Sequence, residues 1–251
     1  MSLAQKSLIE LDDGASVCQL LFANNGYLFL SADFANKANG NKRDRDQVAD
    51  YWNVYCYQTD SKNLTQVTQS LLEFGYPHWQ YGDCRITQFD ESTLLTVASA
   101  PTGDHLFLID QESLKVTSLL QTSSTIECLS SDGQGRSLMV ELPCDTSARI
   151  IEYTGGQICD VLVQSDGPLA KADVSVAQHM SFDCRDGGQA HGFYYPPCNA
   201  KYMDSEESSN PPPLIVMVHG GPTARAYGHF DIQKQFWTSR GFALFLSLIH
   251  I

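Results

Sequence analysis

Five consecutive apolar residues, Leu214-Ile215-Val216-Met217-Val218, run directly into His219-Gly220-Gly221-Pro222. An unbroken apolar run of strand length predicts a β-strand buried on both faces. Glycines placed straight after it let the backbone turn sharply and approach a ligand closely. Downstream, residues 230–240 predict a helix with Ile232, Phe236 and Trp237 sharing one apolar face. Gly241 stands where a helix C-cap glycine belongs, and Phe242-Ala243-Leu244-Phe245 opens a second buried strand. Strand, loop, helix, strand is the beginning of an α/β fold with a mostly parallel sheet.

The first two thirds of the chain have another texture. Short β-rich runs recur between polar turns: residues 26–31, 52–57, 92–97, 105–109, 137–140 and 149–153. Asp132-Gly133 and Gly155-Gly156 are pairs that turn hairpins. A helical period is sustained nowhere here, apart from a weak one over residues 67–74. Many short antiparallel strands predict a sandwich, a barrel or a propeller, and composition does not choose among them. The mixed-charge run Lys42-Arg43-Asp44-Arg45-Asp46 predicts a solvated loop. A further hairpin is predicted from Met180–Cys184 and Gly192–Tyr195 around Asp186-Gly187-Gly188. Pro196-Pro197 stops its ladder, because proline has no N–H to donate.

The residues from Met180 to Phe245 resemble the prolyl oligopeptidase family of serine peptidases, in its acylaminoacyl-peptidase and dipeptidyl-aminopeptidase-like branch. The likeness rests on residues 188–197 (GQAHGFYYPP), 213–223 (PLIVMVHGGPT) and 236–243 (FWTSRGFA). Upstream, residues 51–55 (YWNVY) and 73–82 (EFGYPHWQYG) are similar to the family's propeller segments. The resemblance implies an all-β partial β-propeller over residues 1–172, followed by the N-terminal part of an α/β-hydrolase domain over residues 173–245. It implies cleavage of short peptides by a Ser-His-Asp triad, with no metal and no organic cofactor. His219, Gly220, Gly221 and Pro222 would form the oxyanion-side loop, where donors meet a developing negative oxygen. Taken alone, the His-Gly-Gly tripeptide also fits any tight strand-to-helix turn.

The pattern departs from the family in two places. No G-x-S-x-G nucleophile elbow occurs anywhere in the sequence, so the triad is expected beyond the C-terminus and this chain is expected to be inactive. Residues 246–251, Leu-Ser-Leu-Ile-His-Ile, lack the family's continuation and match one reading frame of a transposon-derived sequencing adapter. They are expected to be a non-native tail, which makes His250 no candidate for the triad. His219 is expected to be structural, His191 an ordinary hairpin histidine, and Trp52 and Trp79 core residues. The alternative reading is a non-catalytic β-propeller interaction module or a pseudogene product. A closed propeller needs about four to eight blades, and these strands supply about three or four, which would leave open edges.

Composition narrows the partners. The formal net charge of -13 repels phosphate backbones and anionic lipid, so neither nucleic acid nor membrane is an expected partner. The eight cysteines lie too far apart for C-x-x-C or zinc-type spacing. Scattered reduced thiols predict a reducing, cytoplasmic location over a disulfide framework. The N-terminal residues lack a signal-peptide pattern. The sequence leaves the preferred peptide bond and the oligomeric state open.

Overall fold

The computed structural model describes residues 16–33, 51–76, 82–164, 169–185, 189–201, 210–218, 220 and 226–247. It is nearly all β, in four sheets of four strands each. The first sheet holds β1 (Ser16–Phe22), β2 (Leu28–Asp33), β3 (Asn53–Gln58) and β4 (Asn63–Gln66). The second holds β5 (Ile86–Gln88), β6 (Thr93–Ala100), β7 (Gly103–Asp110) and β8 (Val116–Gln121). The third holds β9 (Thr125–Ser131), β10 (Arg136–Leu142), β11 (Arg149–Thr154) and β12 (Gln157–Gln164). Each of the three is an up-and-down antiparallel meander in chain order. The predicted Gly155-Gly156 turn joins β11 to β12. Both residues have positive φ, +57° and +83°, as a type I′ turn requires.

β6 explains how these sheets stack. Leu94 to Ser99 are all buried, which a strand achieves only when both sheet faces are covered. Because side chains alternate, Leu94 and Ala98 join Phe29, Val54 and Phe74 on one side. Leu95 and Val97 join Ile126, Met139 and Ile151 on the other. The second sheet is therefore packed between the first and the third. A polar clamp reinforces the second contact. Arg85, just before β5, lies between Asp83 at 3.3 Å and Asp104 at 3.4 Å. Asp104 and Asp83 in turn accept the backbone N–H groups of Ile126 and Cys128 in β9, at 2.7 and 2.9 Å.

The fourth sheet is mixed. It contains β13 (Gln178–Asp183), β14 (Gln189–Tyr195), β15 (Leu214–Val218) and β16 (Ala243–Ser247) in the spatial order β13-β14-β16-β15. β13 pairs with β14, and β14 with β16, antiparallel; β15 and β16 are parallel and joined through the helix α1 (Ile232–Thr238). The predicted hairpin is present, with Met180 opposite Gly192. Gly192 is required there, since a Cβ would lie 2.1 Å from the Phe245 ring. The Asp231 carboxylate caps α1 by accepting from Gln233 N at 2.8 Å, and Gly241 follows at φ +87°. β16 runs to Ser247, so Leu246 and Ser247 continue the strand and Leu246 is buried.

Three sequence expectations are corrected. β15 is not buried on both faces: it is an edge strand, and Leu214, Val216, Met217 and Val218 are exposed, Val218 by 75%. An edge strand has a neighbour on one side only, so its apolar composition outruns the contacts available to it. The predicted inner face of α1 is turned outward as well. Ile232, Phe236 and Trp237 are exposed, while Lys234, Gln235 and Thr238 are buried. The reason is local. The Gln235 amide donates to Ser175 O and accepts from Ser175 N, both at 2.8 Å, which satisfies buried backbone outside any strand. Residues 67–74 form no helix; Glu73 instead bridges to Ser99. The charged run 42–46, Trp79 and the turn residues 186–188 lie outside the described residues.

Candidate functional site

A cavity of about 370 Å³ lies where the β13–β14 hairpin and residues 226–228 face the first two sheets. The β6–β7 turn, Ala100 to Asp104, forms one wall. Gly103 makes that wall possible: its φ is +143°, and a Cβ would lie 1.9 Å from Thr122 O. Tyr51, Leu71 and Glu73 come from the first sheet's surroundings. Glu73 is fixed by accepting the N–H groups of Trp52 and Gly75, each at 3.1 Å. The opposite wall presents His179, His191 and Phe193 from the hairpin, then Tyr227. The volume falls in the range of small-molecule sites, and the lining is largely apolar and aromatic with a few polar groups.

The segment 226–230, which follows the glycine loop, is held from below. Lys234 donates to Tyr227 O at 3.1 Å and to Tyr195 Oη at 3.3 Å. The Tyr195 hydroxyl also reaches Tyr227 O and His229 O at 3.5 Å. Phe230 N bonds to Pro143 O at 2.8 Å, which ties the segment to the end of the third sheet's β10. Burial dominates the electrostatics. It holds the Tyr195 phenol well above its ordinary value and the Lys234 ammonium below. Burial, with the Lys234 charge, pushes His229 down to about 4, so its imidazole is neutral at pH 7. These groups brace the backbone of Tyr227, which lines the cavity.

Of the four oxyanion-side residues read from the sequence, only Gly220 is described. It is exposed beyond the end of β15. His219, Gly221 and Pro222 lie outside the described residues. His191 is brought against His179, with ring centroids 5.3 Å apart. Trp52 lies against Gly75, where a Cβ would sit 2.2 Å from the indole. Glu73, His179 and Tyr227 were not legible as site residues, because the cavity draws them from segments far apart in the chain. Among the described residues no group of three or more His, Cys, Asp or Glu is arranged to hold a metal ion. The described cysteines are free thiols. No described helix is long and apolar enough to cross a membrane, which says nothing of β-barrel proteins.

No family model and no curated protein sequence matches the chain. Solved structures do. A puromycin hydrolase superposes with a TM-score of 0.76 at 22% identity, over 93% of this chain and 33% of its own length. A puromycin-hydrolyzing peptidase of Mycobacterium tuberculosis gives 0.74 at 21%, over 93% and 34%. An acylaminoacyl peptidase in complex with Z-Gly-Gly-Phe-chloromethyl ketone gives 0.59 at 15%, over 91% and 32%. The chain has the fold of prolyl oligopeptidase-family peptidases. That bears out the sequence resemblance at the level of fold. The chain spans about a third of the length of the structures it matches.

Proposed function

We propose that this chain is a segment of a serine peptidase of the prolyl oligopeptidase family, acting on short peptides in the cytoplasm. In this reading residues 1–172 are the last blades of a β-propeller and residues 173–245 begin an α/β-hydrolase domain. The observation that carries the reading is the junction itself. Three stacked antiparallel meanders lead into a mixed sheet ordered β13-β14-β16-β15, and a cavity lies between the two parts. Such a cavity would receive the peptide, while His219 to Pro222, directly after β15, would supply the oxyanion side. The Ser-His-Asp triad would come from sequence outside this chain, so the chain by itself is inactive. Free thiols support a reducing compartment.

The experiment is to sequence the genomic locus through both ends of the reading frame and express the whole protein. Hydrolysis of short aminoacyl or peptidyl amides, with a single serine labelled by a fluorophosphonate, is expected of the whole protein and not of this chain. A native stop codon after Ile251, or a longer protein that neither hydrolyses peptides nor labels, overturns the reading and leaves the interaction module.

A further inference from the structure

We propose that Lys234 is a positioning residue for the cavity: its ammonium fixes the backbone of Tyr227, so that residues 226–228 form a set wall for the side chains of a bound peptide. The role rests on the peptidase reading and names what shapes its substrate pocket. Ala226, Tyr227 and Gly228 line the cavity, and Lys234 does not. Lys234 lies on the inward side of α1 and is 6% exposed. Its hydrogen-bond partners among the described residues are two uncharged oxygens, Tyr227 O at 3.1 Å and Tyr195 Oη at 3.3 Å. The ammonium also stands over the Tyr195 ring, 5.3 Å from its centroid. Asp231 acts on it electrostatically, from beyond hydrogen-bond distance.

Folding alone gives little reason for a cation at this place. Taking an ammonium out of water is costly, and neutral acceptors offset that cost less well than a carboxylate does. A methionine would fill a similar volume without that cost. What the lysine supplies is a strong donor to a buried carbonyl in a segment that belongs to no strand or helix. The Tyr195 hydroxyl reaches the same carbonyl only at 3.5 Å, the outer limit of a hydrogen bond. The neighbouring residues are held separately. A Cβ on Gly228 would lie 3.1 Å from the Phe193 ring, and Phe230 N bonds to Pro143 O at 2.8 Å. Lys234 extends that hold to Tyr227. Since a misplacement of about 1 Å at a positioning group can cost about a hundredfold, loss of one anchor among several should cost about tenfold.

The test uses the whole protein with its natural continuation, in steady-state hydrolysis of short peptidyl amides. Lys234→Met keeps the length of the side chain and removes its donors. It should raise KM about tenfold with kcat within about twofold, because a pocket wall contacts ground and transition states alike. The rate of fluorophosphonate labelling should stay at its native value. Tyr227→Ala should raise KM by about the same factor, and the double variant no further than the larger single change, since Lys234 acts through Tyr227. A purely structural lysine would lower the melting temperature without that coupling in KM. Should Lys234→Met fail to fold, Lys234→Gln takes its place in the cycle, being polar but too short to reach Tyr227 O. An active native protein whose Lys234 variant has unchanged KM, or KM effects that multiply in the double variant, overturns this role alone. A whole protein that neither hydrolyses peptides nor labels overturns the peptidase reading, and this role with it.

Discussion

Arg85 offers the sharpest test of how the sheets are held together. Its side chain is 3% exposed and that of Asp104 is fully buried, so neither charge has water to stabilise it. Burial opposes the guanidinium charge, yet Asp104 and then Asp83 raise its pKa above the ordinary value. Both carboxylates also accept backbone N–H groups from β9, so the cluster spans the second and third sheets. Arg85→Met leaves the Asp83 and Asp104 carboxylates without their shared cation. Removing one partner of a buried ion pair costs about 3–5 kcal/mol. That is a large share of the roughly 5–15 kcal/mol that holds a domain folded. Asp104→Asn keeps the shape and an acceptor for Ile126 N but loses the charge, for about 1.5–3 kcal/mol. The double variant should cost less than the sum by about 1 kcal/mol or more, because each single change strands the other member of the pair and the double change removes both. Urea unfolding followed by circular dichroism measures all three, with the slope checked for constancy. A cost below about 1 kcal/mol for Arg85→Met, or strict additivity, would refute the clamp.

Other positions give shorter tests. Gly75→Ala drives a Cβ into the Trp52 ring and should destabilise by about 1–3 kcal/mol, read by the same unfolding assay together with a changed Trp emission. Val218→Lys on the exposed edge should shift stability by less than about 0.5 kcal/mol and raise solubility, whereas Leu244→Ala at a fully buried position costs about 2–5 kcal/mol. His229 sits at about 4 folded against an ordinary 6.5, so the unfolded chain binds the extra proton between those values. Stability is therefore full above pH 6.5 and falls as pH drops towards 4, by about 1–2 kcal/mol once solvent screening is allowed for. His229→Gln should flatten that slope in a series of unfolding curves taken across the window.

Much of the fold was legible wherever a strand was long and apolar. β2, β3, β6, β7, β10 and β11 fall on the β-rich runs, and the β13–β14 hairpin and α1 fall where pattern and capping residues put them. Strands that escaped are short or polar, such as Asn63–Gln66 and Ile86–Gln88, whose pairing comes from neighbours rather than from their own composition. Packing order was hidden too, because the two-sided burial of β6 depends on sheets built from distant segments. The Asp83–Arg85–Asp104 clamp gave no signal, since charged residues in sequence read as surface. The glycine loop was conspicuous in sequence, but the cavity walls at Glu73, His179 and Tyr227 exist only after folding.

The two inverted surfaces, on β15 and α1, follow from one physical point. Apolar sequence states what a segment can bury, not whether a partner is there to bury it. On α1, the side chains that do face inward were chosen by hydrogen bonding: Gln235 closes two backbone bonds to Ser175, and Lys234 anchors Tyr227. That leaves Ile232, Phe236 and Trp237 outward, with the Phe236 and Trp237 rings meeting edge-on and Arg240 lying over the Phe236 ring. On β15, one edge is taken by β16 and four of its five side chains remain open. A strand so apolar suits a central position in a sheet covered on both faces. The proposed hydrolase reading supplies those neighbours: further parallel strands beyond β15 and helices over them. It thereby accounts for exposed apolar area that the described residues do not cover, and for the match to only a third of each peptidase's length. Expressed with its continuation, the protein should therefore protect the β15 amides from hydrogen exchange far more strongly than this chain does alone, and equal protection in both would argue that β15 is a true edge.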